Sequence, residues 1–247
     1  MTGVAAFLVL WEAASRSGLV DAQIVPPPSV VAVGLVRSFG DPTFLPGVIS
    51  TVLSWVIAMV AATAIGVTLG LLLGSLPKLR TASEMIVEFL RPLPGVALIP
   101  LVISLIGADA QTKIVLATFV AVWPILFNTI YALGELDPQL IDVTRAYRVP
   151  RRRVTLWVKL PATLPFILTG VRFSASIALI SLVSTEFLTG GAIGLGQFIY
   201  VEGSSEGRMD LVLAGTVFAG LLGLLANVGL SGLQRKLSPW SPQGGSA

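Results

Sequence analysis

Apolar residues in this chain run together in long blocks rather than alternating with polar ones. Five blocks stand out: Val48 to Gly74, Met85 to Ile106, Ile114 to Leu133, Leu164 to Leu188 and Leu211 to Leu233, each bordered by charged residues or by Pro and Gly. A helix that crosses a bilayer needs about 20 consecutive apolar residues, and each block supplies them. Val4 to Ala14 is shorter and holds Glu12, so it reads as a shortened first span or an interfacial segment. No basic run precedes it, which argues against a secretory signal. Pro26-Pro27-Pro28 and Ser29 then give a stiff stretch ending in a helix cap, and Val30 to Phe39 gives a short interfacial helix. The pattern predicts an all-α fold, a polytopic membrane helix bundle. It has five clear transmembrane helices plus a short first one, in one domain over 1–247 with a disordered tail at 238–247.

Composition narrows the function. Of 247 residues, 54% are hydrophobic and only 12% charged, against roughly 25% charged in a soluble domain. A water-soluble enzyme is excluded on that ground. The absence of His and Cys removes the usual zinc ligand sets, Ser-His-Asp and Cys-His catalysis, c-type haem and thiolate clusters, so no catalytic, cofactor or metal site is expected. Gly190 to Gly196 is glycine-rich, but no Gly-x-x-x-x-Gly-Lys-Ser/Thr exists in the chain, so it does not hydrolyse ATP itself. A formal net charge of only +3, with no aromatic-and-basic motif, points away from nucleic acid.

Charge placement gives an orientation. Lys78, Arg80, Arg145, Arg148, Arg151, Arg152, Arg153, Lys159, Arg235 and Lys236 fall on one side if spans alternate. Arg16, Arg37, Lys113 and Arg208 fall on the other. Cytoplasmic loops retain Lys and Arg, so the long basic loop and the C-terminus are expected in the cytoplasm of a prokaryotic inner membrane.

Several features interrupt the spans. Ala58, Ala62, Gly66, Gly70 and Gly74 recur every fourth residue, as do Gly215, Ala219 and Gly223. Small residues at this spacing let helices approach closely, either within one subunit or along a dimer seam. Arg91-Pro92-Leu93-Pro94-Gly95 and Pro100 break the second block. Prolines free backbone groups that protein or cavity water must satisfy, as where interrupted helices flank a substrate route. A kink with Arg91 snorkelling to the interface is the plainer alternative. An ionised Arg at a span's centre costs about 2.5–3.5 kcal/mol, so Arg172 should face protein or water. Arg91, Pro94, Pro100, Asn128, Arg172, Ser176 and Glu186 are therefore candidates for a translocation path. For the hydroxyl residues, interhelical hydrogen bonding competes with that role.

The loop at 135–161 is the most informative stretch. Asp137-Pro138 is a cap followed by a first-turn proline. Leu140, Val143 and Tyr147 then fall on one face of a short helix that Val149-Pro150 breaks. Val154, Trp157 and Val158 mark a second short helix at an angle to the first. Together these make a shape that fits a partner's groove, while the basic residues also suit anionic lipid headgroups.

Leu140 to Arg148, through Val158-Lys159-Leu160-Pro161, resembles the EAA loop of binding-protein-dependent ABC importer permeases. Asp142 stands for the Glu, Val143-Thr144 for the alanines, and Leu160-Pro161 for the closing pair. Arg91 to Pro100, Ile167 to Arg172 and Gly194-Leu195-Gly196 resemble the nitrate/sulfonate/taurine branch. The resemblance implies a permease subunit, most simply one of two identical copies. Two ATPase subunits, using ATP and Mg, would drive it, and an extracytoplasmic binding protein would feed it a sulfonate, taurine-like compound or nitrate. It also implies that Leu140, Asp142, Val143, Thr144, Arg145, Tyr147, Arg148 and Pro161 couple the chain to the ATPases. Arg148 departs from the pattern, which usually has Gly there; this implies a different turn or a partner acid. The rival readings are a secondary transporter, which would need ion-coupling carboxylates deep in the bundle, and a non-transporting membrane scaffold.

Overall fold

A computed structural model of the chain describes residues 2–190, 193–205 and 208–238. Gly191 and Ala192 of the glycine-rich stretch, and the tail from 239 on, lie outside them. The described residues form helices joined by turns, with no strand among them. In chain order these are α1 (Thr2–Arg16), α2 (Pro28–Ser38), α3 (Phe44–Ser75), α4 (Pro77–Leu90), α5 (Ile99–Ile106), α6 (Ala110–Gly134), α7 (Pro138–Ala146), α8 (Arg151–Val154), α9 (Leu160–Thr189), α10 (Leu195–Gly203) and α11 (Met209–Leu237). A 3₁₀ turn, Gly95–Leu98, precedes α5, and a π-helical turn, Thr155–Lys159, precedes α9.

Four helices are long and apolar enough to cross a membrane: α3, α6, α11 and the run Arg152–Thr189 that contains α9. The expected second span, Met85 to Ile106, is not one helix. It divides into α4 and the segment Gly95–Ile106, bent by 82°. Pro92 and Pro94 have no N–H to continue a helical ladder, and Pro100 sits in the first turn of α5, where that loss costs nothing. α4 starts earlier than expected and carries Lys78, Arg80, Glu84 and Glu88, so its register is amphipathic rather than uniformly apolar.

α3, α6 and α9 form the core. Gly66 lies where a Cβ would sit 2.9 Å from Ile125, and Gly70 where one would sit 2.5 Å from Thr129. The small-residue stripe of α3 is therefore a seam with α6 inside one subunit, at a spacing only glycine allows. These contacts run in the same order along both helices, so α3 and α6 are parallel. α9 is antiparallel to them: the Trp55 indole donates to Ala175 O (2.9 Å), and Lys159 at its start reaches Ser75 at the end of α3 (3.2 Å). α11 returns beside α9. The basic loop and the end of α11 thus share one end of the bundle, here the loop end. The far end is closed by Phe44, Phe198 and Phe218, with ring centroids 5.1–5.2 Å from Phe44.

Two local expectations are corrected. Ser29 does not cap α2; it lies in its first turn, and Glu12 of α1 reaches across to accept its N–H (3.0 Å) and hydroxyl (2.7 Å). The charge that weakens Val4 to Ala14 as a span therefore caps the neighbouring helix. The second loop helix is not separate either: α8 runs through the π turn into α9. Pro161 would clash with the carbonyl four residues back, and the wider turn, in which Leu160 N–H reaches Thr155 O, relieves it.

Candidate functional site

The loop end presents α7. Asp137 caps it by accepting the Gln139 N–H at 2.8 Å. At its other end the Arg148 N–H donates to Arg145 O (2.9 Å) and the Val149 N–H to Thr144 O (3.0 Å). This is a Schellman closure, whose penultimate residue must be left-handed. Arg148 supplies that conformation with φ 51°. The turn that glycine usually makes is thus kept, and no different turn replaces it. A left-handed non-glycine residue costs roughly 1–2 kcal/mol. Leu140, Val143 and Tyr147 lie together on the exposed side, and Tyr147 is 80% exposed. Trp157, on the π turn, is equally open. Asp142 pairs with Arg145 (2.9 Å), Thr144 is buried with its hydroxyl on Ile141 O, and Pro161 lies in the first turn of α9. This is a rigid stalk with an uncovered apolar face.

The candidate path residues separate into different environments. Arg91 is exposed at the α4–α5 break, its guanidinium 4.6 Å from the ring centroid of Phe127. Pro94 and Pro100 are exposed on either side of Gly95, whose α-carbon faces Val120. Beside this break, among the described residues, the buried Ser181 Oγ has no hydrogen-bond partner, and neither does Trp123 Nε1 between the rings of Phe119 and Phe127. Asn128 turns inward on its own helix, donating to Pro124 O at 2.8 Å. Arg172 is half-buried and bonds Asn227 (3.3 Å) and Gln234 (3.1 Å) of α11. Both partners are neutral, and Arg172 has no ion pair among the described residues. One turn further along α9, Ser176 opens onto an apolar cleft of about 360 Å³ against Ala219, Gly220 and Gly223.

Glu186 is fully buried and paired with Lys113, also fully buried, at 2.7 Å. From sequence Lys113 reads as a loop residue just outside its span, and Thr51 and Ser50, which complete the cluster, carry no local signal. One signal was available: a Lys and a Glu, each next to the same expected side of an apolar block. Also at the far end, Arg37, Asp41, Arg208 and Asp210 line a charged cleft of about 540 Å³. Burial pushes the Glu202 carboxyl above the usual carboxylate range, opposed by Arg208 at 2.8 Å. Asp41 is held below it by the hydroxyl and N–H of Thr43.

A multi-span bundle with a stiff, uncovered loop helix at one end is the form of a transporter membrane subunit. The chain belongs to the family of binding-protein-dependent transport system inner membrane components, whose model matches residues 66–241. It is thus the permease subunit of an ABC importer, a multi-pass protein of the inner membrane. It is 26% identical to the bicarbonate transport system permease protein CmpB of Synechocystis sp., over 96% of this chain and 87% of that one. With the taurine transport system permease protein TauC of Escherichia coli (strain K12) it shares 28% identity over the same fractions. In fold it resembles the inward-facing MetNI methionine ABC transporter, with TM-score 0.70 over 79% of this chain and 96% of that one at 22% identity.

Proposed function

We propose that the chain lines the translocation path for a small anion and transmits ATP-driven motion to it through α7. The observation that carries this reading is the exposed Leu140–Val143–Tyr147 face, held on a capped helix with both its ends closed by hydrogen bonds. A short helix displaying an apolar face suits a groove on an ATPase subunit. Two such subunits, using ATP and Mg, would act on two copies of this chain, with the loop end and the C-terminus cytoplasmic. A binding protein would deliver substrate at the far end, where the bundle carries its charged cleft. Relatives named for bicarbonate and taurine support a small anion, in the class of sulfonates, taurine-like compounds or nitrate. The chain itself performs no catalysis and holds no cofactor or metal in this reading.

The α4–α5 break is the favoured wall of the path. Its prolines, the unpartnered Ser181 hydroxyl beside them and the exposed Arg91 support this, since polar groups left unpaired within a span need water or substrate to satisfy them. Sealing of Glu186 by Lys113 weighs against a secondary transporter, because an ion-coupling carboxylate has to be reachable.

Association with the ATPase tests the reading. Tyr147→Ala should weaken co-purification of the ATPase by about 30-fold, the loss of one interface anchor of about 2 kcal/mol. The chain should still insert and fold, since Tyr147 touches little of its own bundle. Undiminished association in Tyr147→Ala and in Asp142→Ala would remove α7 from the coupling role.

A further inference from the structure

The polar cluster around Lys113 is fully satisfied by hydrogen bonds. A lysine ammonium has three N–H donors, and all three are used: Glu186 Oε1 at 2.7 Å, Ile193 O at 2.7 Å and Ser50 Oγ at 3.0 Å. Glu186 in turn accepts from the Thr51 hydroxyl (2.8 Å) and the Gly196 N–H (3.0 Å). Thr51 also accepts the Leu195 N–H at 2.9 Å, and Ser50 donates to Ile193 O at 2.8 Å. Five chain segments meet here: α3, α6, α9, the strand-like turn at Ile193 and the start of α10.

The glycines of the turn make the approach possible. A Cβ on Gly194 would fall 2.0 Å from Glu186 Cδ, and one on Gly196 would fall 2.2 Å from Val183 O. The backbone at 193–196 is therefore pressed directly onto a buried charge pair. Removing one partner of such a pair leaves the other buried and uncompensated, whereas removing both is far better tolerated.

We infer that Lys113 and Glu186 form a permanent clamp, which fixes the far-end hairpin from Ile193 to Gly203 to α3, α6 and α9 as one rigid wall throughout transport. They are positioning residues: they touch no substrate, and the segment they hold is not a gate. Movement is left to the α4–α5 break and to α11, whose seams hold no fully buried ion pair among the described residues. The transport and ATP-labelling readouts rest on the permease reading; the hydrogen-exchange readout below does not.

The chain is free of cysteine, so single cysteines report cleanly. Ser50→Cys and Ile193→Cys, placed together in the transporter assembled with its ATPase and binding protein in proteoliposomes, are joined with a short bis-maleimide. The clamp predicts that cross-linked transporter keeps at least half of the uncross-linked ATP-driven uptake. A tenfold loss on cross-linking, with uptake intact before it, overturns the clamp and makes the hairpin a gate. Uptake absent in the unsubstituted, assembled transporter counts against the permease reading instead, and the clamp is then judged by hydrogen exchange. Ile193→Cys in an otherwise native chain should react with a membrane-impermeant maleimide at a rate unchanged by ATP. Lys113→Met or Glu186→Gln should raise the amide hydrogen-exchange rates of Leu195 and Gly196 at least tenfold. The Lys113→Met/Glu186→Gln double variant should recover most of that protection, or should insert where a single variant does not. Equal exchange in all four chains, or a double variant worse than either single, refutes the clamp.

Discussion

Two ion pairs, one at each end of the bundle, have nearly the same length and opposite surroundings. Lys113 and Glu186 lie 2.7 Å apart with no exposed side-chain surface, while Arg145 and Asp142 lie 2.9 Å apart with 76% and 67% of their side chains exposed. Water screens the second pair, whose contribution to stability is at most about 1 kcal/mol. Nothing screens the first, and every donor around it is committed to its own chain. The buried pair at the far end therefore holds shape, and the exposed pair at the loop end stays available to a partner. The apolar residues divide the same way: Phe44 is enclosed among other rings, while Tyr147 stands open.

The comparison can be broken at either end. At the far end, Gly194→Ala drives a methyl group into the Glu186 carboxylate and should destabilise the chain by about 1–3 kcal/mol, seen as a lower thermal midpoint in detergent. An unchanged midpoint would mean that the turn is not pressed onto the pair. At the loop end the expected change has the other sign. Arg148→Gly relieves a left-handed arginine and should stabilise α7 by about 1 kcal/mol, read as slower amide exchange at Val149. Faster exchange would show that the side chain, not the turn geometry, holds that corner.

The smallest effect is a pH slope. The Glu202 carboxyl is raised by burial, so the folded chain binds its proton more readily than the unfolded chain does. Its contribution therefore favours folding at acid pH and is lost as pH rises through the interval between the ordinary carboxylate range and the raised value. Asp41, lowered by Thr43, acts in the opposite sense and below that range: its contribution is present at neutral pH and lost on acidification. Glu202→Gln should flatten the upper slope of thermal midpoint against pH and leave the lower one. A slope that survives the substitution belongs to another group.

Much of this molecule was legible from local pattern. Four of the five long spans follow from apolar runs, the Asp137 cap and the Val149-Pro150 break from helix-end chemistry, and the close approach along α3 from four-residue spacing, though not its partner α6. The left-handed corner at Arg148 was legible only through the family resemblance. What escaped was whatever depends on partners distant in sequence. Lys113 and Glu186 are 73 residues apart, and neither alone reveals that the other neutralises it. Glu12 reads as a flaw in a first span because its true partner, Ser29, lies 17 residues on in another helix. The broken second span was visible in its prolines, but the size of its bend, 82°, was not.

The central claim is that ATP acts on this chain through the uncovered face of α7. ATP-driven uptake of radiolabelled anion into proteoliposomes, holding the chain with its ATPase and binding protein, tests it most directly. Wild type and Tyr147→Ala are compared at equal insertion. The account predicts that Tyr147→Ala loses uptake and binding-protein-stimulated ATP hydrolysis together, by at least about tenfold, in line with the loss of an interface anchor. Uptake that persists at the wild-type rate in Tyr147→Ala, or that runs on a proton gradient without ATP, would contradict it.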